Sequence, residues 1–532
     1  MTKNGFRGEN QDDTSVLICR PRLAIHCLGV AGVALVDCCS RALKRTWARA
    51  PHTHGRSCRH IAVVLNFLLL PPACPAQQAP PDPSRPIFSG QQDRIRQNAR
   101  LKAEAAFELD TEAVYTLPAL IDIAESRSPE TREAWQAARE RAAALGVAKS
   151  ELYPIAKAFV VGFTNELGVL LYNQFTLQYE GIGEAGLSLN YALVDFGARL
   201  DKIHEQGDLL HASNFAFNDA HRRLIYGVTQ GYYQLLSATG QRRAAEANLR
   251  SAEAVAAATV ARYDNGLATL PDVAEAKSAA AQARYDLQIR LGDEQKASGT
   301  LATILTAPPY SNFKVQSIDE LAIPEKLPDT ARELIERALH DRPDLLRQMA
   351  IISAARAAEQ NAKKAYYPTL TFNGEFGRLR AYGDQLPYPN AYASGNTYDA
   401  TLRLGWTFFD GGRRRNELRE AQAAEQRAES ELLARQDQIE SEVWNAYANA
   451  ETALRQRQAA TALLQAAQES YDMSLEAYHY GVRNVLDVLQ AERQLAAARS
   501  EDVAARAGVL SSMADISFRT AELLRARART LP

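Results

Sequence analysis

The stretch LRLGWTFFDGGRRR, from Leu402 to Arg415, alternates like a half-buried strand, stops at Asp-Gly-Gly and breaks into arginines. One parity carries Leu402, Leu404, Trp406 and Phe408; the other carries Arg403, Gly405, Thr407 and Phe409. A period of two puts these sets on opposite faces of a pleated strand. A cousin, LSLNYALVDFGARL, runs from Leu187 to Leu200. Leu187, Leu189, Tyr191 and Leu193 match the apolar set at an offset of 215, and Asp195 and Gly197 match Asp410 and Gly412.

The correspondence continues in both directions. Pro129 and Tyr153-Pro154 recur as Pro343 and Tyr367-Pro368 at an offset of 214, so one residue is inserted before the aspartates. YDNGLATLPDVAEA from Tyr263 and YHYGVRNVLDVLQA from Tyr478 pair Gly266 with Gly481, Asp272 with Asp487 and Val273 with Val488. The chain is therefore two copies of one unit, each reading helix, strand, loop, strand, long helix, turn, helix. Tyr-Pro ends the first helix of each copy, because proline restricts its predecessor and cannot extend a helix behind it. Strands are expected over about 157–164 and 186–194, then 369–377 and 399–409. TLTFNGEFG sets Leu370, Phe372 and Phe376 against Thr371, Asn373 and Glu375; AKAFVVGFT is apolar on both parities and cannot be phased. The segments 165–182 and 379–398, rich in Tyr, Gly, Asn and Pro, read as exposed hairpin loops. Residues 198–264 and 413–479 are uninterrupted helical patterns, each about 100 Å long at 1.5 Å per residue. Their alanine-rich faces suit close coiled-coil packing. Gly227, Gly231 and Gly240 weaken the first by about 1 kcal/mol each, which its neighbours must offset. Gly266 and Gly481 stand where left-handed caps would end the two helices.

The formal net charge is -2, and residues 1–76 hold ten basic and four acidic residues, leaving 51 basic against 59 acidic in the remainder. A mildly acidic body argues against a nucleic-acid partner, which needs a basic face. All six cysteines lie in the first 74 residues, so the body has no disulfide framework or thiolate metal site. Basic Arg56 and Arg59, the apolar run IAVVLNFLLL and the small-residue exit after it describe a secretory signal over 56–76. A second apolar stretch, 23–36, competes with it. Cys74 ends an LPPAC box whose Pro71 and Pro72 disfavour acylation. The remaining segments are 1–55, either a mis-started extension or an unusual leader; a mature tail, 77–110; the repeats, 111–310 and 329–525, joined by a linker, 311–328; and a tail, 526–532. No later stretch offers the roughly 20 apolar residues of a membrane helix. Asp195-Phe196-Gly197 spells a kinase triplet without its companion motifs, and no Walker loop, H-E-x-x-H or G-x-S-x-G occurs. Neither an enzyme nor a cofactor is expected.

Two strand pairs cannot close a barrel, and a lone four-stranded sheet in lipid would leave unpaired edges that hydrocarbon forbids. Closure demands several copies. The strands then fit an outer-membrane wall, with Leu402, Leu404, Trp406 and Phe408 facing lipid and Trp406 near an interface. Asp195, Gly197, Asp410, Gly411 and Gly412 mark the strand-to-helix exits, and Arg413, Arg414 and Arg415 start the second long helix in water.

The duplicated strand pair ending in DFG or FDGG, the Tyr-Pro before each first strand and the paired Tyr-x-x-Gly…Asp-Val…Ala turns resemble the outer membrane efflux protein (TolC-like) family over about residues 110–520. The resemblance implies a mainly α-helical fold with four strands per chain, a homotrimer with a twelve-stranded barrel and a periplasmic helical tunnel. It further implies a periplasmic adaptor, an inner-membrane pump of RND or ABC type, and export of drugs, small molecules or proteins. Carried over by motif, the gate residues are Asp272, Tyr478 and Arg483, and the constriction is at Asp487. A second ring aspartate, expected three residues on, is Gln490 here, which puts strong cation selectivity in doubt. Three copies of one carboxylate around an axis focus a negative field, and an Asp–Arg link would act as a latch worth about 0.5–1 kcal/mol. Asp272 and Asp487 read equally as first-turn acids of the return helices. A soluble periplasmic coiled-coil adaptor is the competing reading, but it does not explain the greasy strands at matched positions.

Overall fold

A computed structural model describes residues 109–171, 173–327, 329–385 and 388–523. The segments 1–55 and 56–76, Cys74, most of 77–110 and the tail 526–532 lie outside the described residues. Those described belong to one unit, Lys102–Pro532.

The duplication is explicit in the element order. Short β1 (Val114–Tyr115) precedes α1 (Leu117–Arg127), α2 (Pro129–Ser150), β2 (Ile155–Leu171), β3 (Gln174–Val194), α3 (Ala198–Asp264) and α4 (Leu270–Ile304). After β4 (Lys314–Val315) come α5 (Ala331–Asp341), α6 (Pro343–Lys364), β5 (Thr369–Gln385), β6 (Tyr388–Gly405), α7 (Arg413–His479) and α8 (Val485–Arg519). The long helices both have 67 residues and the return helices both have 35. Their limits are those the periodicity predicts. Pro129 and Pro343 each open a 22-residue helix at its first position, where a missing N–H costs nothing.

The strands form one antiparallel sheet of order β2-β3-β5-β6. Two expectations are corrected. The segments 165–182 and 379–398 are not loops; they continue the ladders, with pairs from Ile155↔Asn190 up to Leu171↔Gln174 and from Thr369↔Gly405 up to Gln385↔Tyr388. In addition, β6 stops at Gly405, so Trp406 and Phe408 lie beyond it. The Trp406 indole N–H donates to the Tyr366 carbonyl at 3.2 Å, a side-chain tie where a ladder bond would otherwise continue.

Below the sheet, α1, α3, α4 and α8 share a core in which Tyr232, Leu236, Leu301 and Leu305 are fully enclosed. A matching core joins α5, α6 and α7 around Leu345, Ile439 and Val443. A buried charge cluster crosses between the copies. Arg222 of α3 donates to Asp219 at 2.6 and 2.9 Å and to the Phe518 carbonyl of α8 at 3.1 Å. Arg342 grips Asp344 with a fork of 3.0 and 2.7 Å and reaches Glu442 of α7 at 2.8 Å. Burial opposes ionisation of Asp344, but the Arg342 fork and nearby Arg222 hold its pKa below the ordinary value. Breaking such a pair strands a buried charge, at about 3–5 kcal/mol.

The glycines of α3 divide by surroundings. A Cβ on Gly240 would stand 2.7 Å from Val503 Cγ1, and one on Gly231 would meet Ile304 and Leu301 at 3.2 and 3.3 Å, whereas Gly227 has open space. Close packing of α3 on α8 and α4 is what offsets the lost helix propensity. Gly240→Ala gains about 1 kcal/mol of propensity but overpacks by about 1–3 kcal/mol. It is expected to lower the thermal midpoint of the purified protein, and Val503→Ala should cost less in that background than in wild type, a coupling measurable in a double-mutant cycle.

Candidate functional site

The register sorts the sheet into two faces. Leu187 sits opposite Phe376 and Tyr191 opposite Phe372, while Phe376, Phe372 and Leu370 face Tyr398, Leu402 and Leu404 across β5 and β6. These residues share one face, so Leu402 and Leu404 lie on the apolar side. The other face carries Glu184, Asn190, Asn373, Glu375, Asp399 and Arg403 on β3, β5 and β6, and Phe159, Val161 and Phe163 on β2. There Thr397 donates to Glu184 at 2.6 Å and Asn190 pairs with Asn373. Trp406 and Phe408, though beyond the strand, are 64% and 85% exposed. With the stacked Phe196–Tyr367 pair at 5.2 Å, they form an aromatic fringe at the sheet's helix end, as at a lipid–water boundary.

Each strand-to-helix exit is the same device built twice. Asp195 accepts from the N–H groups of Gly197 and Arg199, both at 3.1 Å, and from Arg199 Nε at 2.7 Å. Arg199 then donates to the carbonyls of Glu151 and Ala192. Asp410 repeats this with Gly412 N–H at 3.0 Å, Arg414 N–H at 3.2 Å and Arg414 Nε at 2.7 Å, and Arg414 reaches the Ala365 carbonyl at 3.3 Å. The turn needs left-handed backbone at two successive residues, Gly411 (φ 68°) and Gly412 (φ 87°) in one copy and Phe196 (φ 55°) and Gly197 (φ 91°) in the other, a conformation glycine adopts without strain and Phe196 does not. The reading of Arg414 as a solvated helix start is corrected: it is only 7% exposed, because its guanidinium closes the junction. The Arg414 hydrogen bond, against a little desolvation, holds the Asp410 carboxyl below its usual range.

At the opposite end, both long helices close the same way. The N–H of Leu267 bonds the Arg262 carbonyl and that of Val482 bonds the Ala477 carbonyl, around Gly266 (φ 71°) and Gly481 (φ 75°), a Schellman closure. Asp272 then forms a capping box with Thr269, accepting from its N–H and hydroxyl at 2.8 Å each. Asp487 donates its N–H to Asn484 Oδ1 at 2.9 Å. Both aspartates thus stand in the first turn of a return helix. Arg483 donates to Ser474 Oγ at 3.2 Å, within its own hairpin, so Asp272 and Arg483 form no latch inside one subunit. Gln490 is exposed.

Tyr478 is 4% exposed, in a cluster that joins Val255 and Ala276 of the first hairpin to Val488 and Leu495 of the second. Its hydroxyl donates to Thr259 Oγ1 at 3.3 Å. The cross-hairpin tie missed by sequence reading is Arg262. Its Nη1 donates to the Tyr478 carbonyl at 2.9 Å and the His479 carbonyl at 3.4 Å, and its guanidinium stacks 4.6 Å above the Tyr478 ring. It adds a second donor to the Tyr478 carbonyl, which already accepts from the Gly481 N–H at 3.0 Å, and covers the His479 carbonyl at the end of α7. Only its place beside Tyr263 hinted at this; a single arginine in a polar helix carries no signal of its own.

Above the turns an open groove of about 740 Å³ runs between α3, α4 and α8, bordered by Asn248, Gln282, Arg290, Glu492 and Arg493. Glu492 is 7% exposed and its Oε2 has no hydrogen-bond partner. Burial raises its pKa from 4.5 to about 7, with Arg493 and Arg499 pulling weakly the other way.

A four-stranded antiparallel sheet continued into paired long helices is a fold shared with solved outer-membrane channel proteins. The crystal structure of the Campylobacter jejuni CmeC outer membrane channel superposes with a TM-score of 0.63 at 18% identity, covering 81% of this chain and 95% of that one. A membrane protein from Pseudomonas aeruginosa gives 0.64 at 22% identity, over 79% and 99%. The outer membrane efflux protein family model matches residues 120–307 and 334–518, so the chain belongs to that family, with its place in the outer membrane. The pyoverdine export outer membrane protein OpmQ of Pseudomonas aeruginosa is 29% identical over 336 residues, spanning 60% of this chain and 66%, just under two thirds, of the relative.

Two outcomes follow from this geometry. Leu402→Arg should cost about 2–4 kcal/mol in lipid and deplete the heat-modifiable, membrane-inserted protein seen on gels, while Thr401→Arg on the opposite face should leave it near wild type. For Glu492, the folded state binds the proton more tightly than the unfolded chain. Its contribution is full below about pH 4.5 and is lost as the pH climbs through about 7, on the order of 2–3 kcal/mol. Thermal midpoints by circular dichroism should fall between pH 5 and pH 8, roughly the window of that titration, and Glu492→Gln should remove that part of the slope.

Proposed function

We propose that three copies of this chain close a twelve-stranded barrel in the outer membrane and a helical duct through the periplasm, and that drugs, other small molecules or proteins leave the cell through it. The observation that carries this reading is a four-stranded sheet, apolar along one face of β3, β5 and β6, whose outer strands, β2 and β6, each keep an edge without a ladder partner among the described residues. Hydrocarbon tolerates such edges only if other copies pair them. A soluble coiled-coil adaptor would leave Leu402, Leu404 and Phe376 in water for no gain. A periplasmic adaptor and an inner-membrane pump supply the energy.

The duct closes at the turn end. Asp272, Tyr478 and Arg483 belong to this gate, and Arg262 joins them as the donor that holds one hairpin to the other. Three Asp487 carboxylates would surround the axis there, with Gln490 in place of a second ring. Two carbonyl hydrogen bonds and a cation–π contact amount to about 1–2 kcal/mol per subunit.

Arg262→Ala is therefore expected to shift the open-to-closed balance by roughly ten-fold per subunit, read as a larger single-channel conductance in planar bilayers. Arg483→Ser, whose contact stays within one hairpin, should change the current less. A purified protein that forms no trimer and no pore would overturn the duct itself; a pore unaffected by Arg262→Ala would remove only this tie.

A further inference from the structure

The apolar face of the sheet changes chemistry part-way along β5. Leu370, Phe372 and Phe376 are followed on the same face by Arg378 and Arg380, then by Tyr382. The register sets Asn396 opposite Arg378 and Ser394 opposite Arg380 on β6. On the other side, β3 offers only Ala185 and Gly183, and beyond them β2 offers Val160 and Gly162. Both guanidinium groups are exposed, and neither has a hydrogen-bond or ion-pair partner among the described residues. The opposite face at the same level satisfies its own polar groups, Glu184 with Thr397. Two arginines, a serine and an asparagine thus share one patch of wall over a floor of small or aliphatic residues, with no carboxylate among their register neighbours.

Height along the wall says what this patch meets. From Leu370 to Arg378 is eight residues, about 27 Å along the strand at 3.4 Å per residue. With a tilt of about 35–45° that is roughly 20 Å of depth, close to the full apolar band of an outer-membrane barrel. The helix-end boundary is marked by Trp406 and the Phe196–Tyr367 stack. The far boundary falls at the arginines, and Tyr382 lies just past them against Tyr179, ring centroids 6.0 Å apart. Tyr382 lies over Gly181, where a Cβ would come within 2.2 Å of its ring. Since the helices extend into the periplasm, this far boundary is the headgroup level of the outer leaflet. Unpaired guanidinium groups at the edge of hydrocarbon are costly, and a phosphate answers them with two-pronged, charge-assisted hydrogen bonds. Neighbouring residues i and i+2 on one strand face, with a partner pair about 5 Å across, leave a space of phosphate size.

We infer that Arg378, Arg380, Ser394 and Asn396 form a site on the barrel's outer wall for the phosphate of an outer-leaflet glycolipid. The lipid's acyl chains lie along Phe376, Leu187 and Tyr398 below it. The assignment rests on the membrane-embedded reading of the sheet.

The test uses the full-length trimer, delipidated and returned to nanodiscs, with bound lipid counted by native mass spectrometry. The probes are bisphosphorylated lipid A, the same lipid A with both phosphates removed, and inorganic phosphate. About 1 kcal/mol per arginine predicts a preference of roughly thirty-fold for the phosphorylated lipid. Arg378→Gln with Arg380→Gln should abolish that preference, while Arg403→Gln, on the inner face, should keep it. Equal retention of the two lipids by wild type, a preference that survives the double substitution, or inorganic phosphate binding as tightly as the lipid would each overturn the site. The first comparison needs no variant, so a double variant that misfolds does not shelter the idea. A chain that stays a water-soluble monomer would instead overturn the membrane reading; an inserted trimer without phosphate preference overturns the lipid site alone.

Discussion

An antiparallel sheet with two open edges governs this molecule. Backbone N–H and C=O groups on the outer sides of β2 and β6 have no ladder partners among the described residues, and lipid offers them none. Everything else can be understood as what a chain must do when its wall is incomplete. It must present strands of matched height, hence long ladders that continue almost to the hairpin tips, interrupted by register shifts only at Ala192/Val194 and Gly383/Gln385. It must hold those strands at a fixed angle to the helices, hence the doubled junctions in which Asp195 and Asp410 each grip a glycine N–H and an arginine. In the proposed trimer a tilt error in one subunit would propagate to all the seams, so rigid junctions would matter more than in a closed, single-chain barrel.

The long helices were legible from the sequence because their signals are local: uninterrupted periodicity, a glycine at each end and a duplicate to check against. Both 67-residue spans follow from those signals. The strand lengths were not legible. Residues 165–182 and 379–398 are dense in glycine, tyrosine and asparagine, which is loop chemistry in water but barrel chemistry near a membrane boundary, where glycine admits a neighbour's tyrosine, as Gly181 admits Tyr382. The end of β6 was misplaced for the reverse reason. Trp406 and Phe408 keep the alternation going in sequence, yet the chain has already left the ladder at Gly405. Composition reports what a segment meets, not whether its backbone is paired.

At the turn end, the aspartates singled out by motif are held by their own helices, Asp272 through Thr269 and Asp487 through Asn484. That is a local role, and local roles repeat: Thr269 and Asn484 occupy the same place in the two copies. The ties between copies do not repeat. Arg262 corresponds to Ala477, and the buried Glu492 corresponds to the exposed Lys277. A contact between two hairpins requires complementary partners, so a duplicated unit that docks on its own copy must lose symmetry at the points of contact while keeping it at the caps.

The same reasoning explains why repeat comparison finds scaffolding more readily than moving parts. Matching positions reveal what each unit needs to fold alone, such as the Schellman glycines, the first-turn acids and the junction aspartates. Mismatched positions inside an otherwise faithful repeat mark where one unit touches the other. By that criterion the contact seam lies along α3 and α8, where Arg262 reaches the end of α7 and Glu492 sits without a hydrogen-bond partner for Oε2. A seam stabilised by a few hydrogen bonds, one cation–π contact and a carboxyl that resists ionisation has a shallow minimum, of the kind a partner's modest binding energy can displace. The cores around Tyr232 and Ile439, with their enclosed aliphatic packing and buried arginine forks, have no such weakness. Separation of the hairpins should therefore begin at the turns and stop where those cores begin.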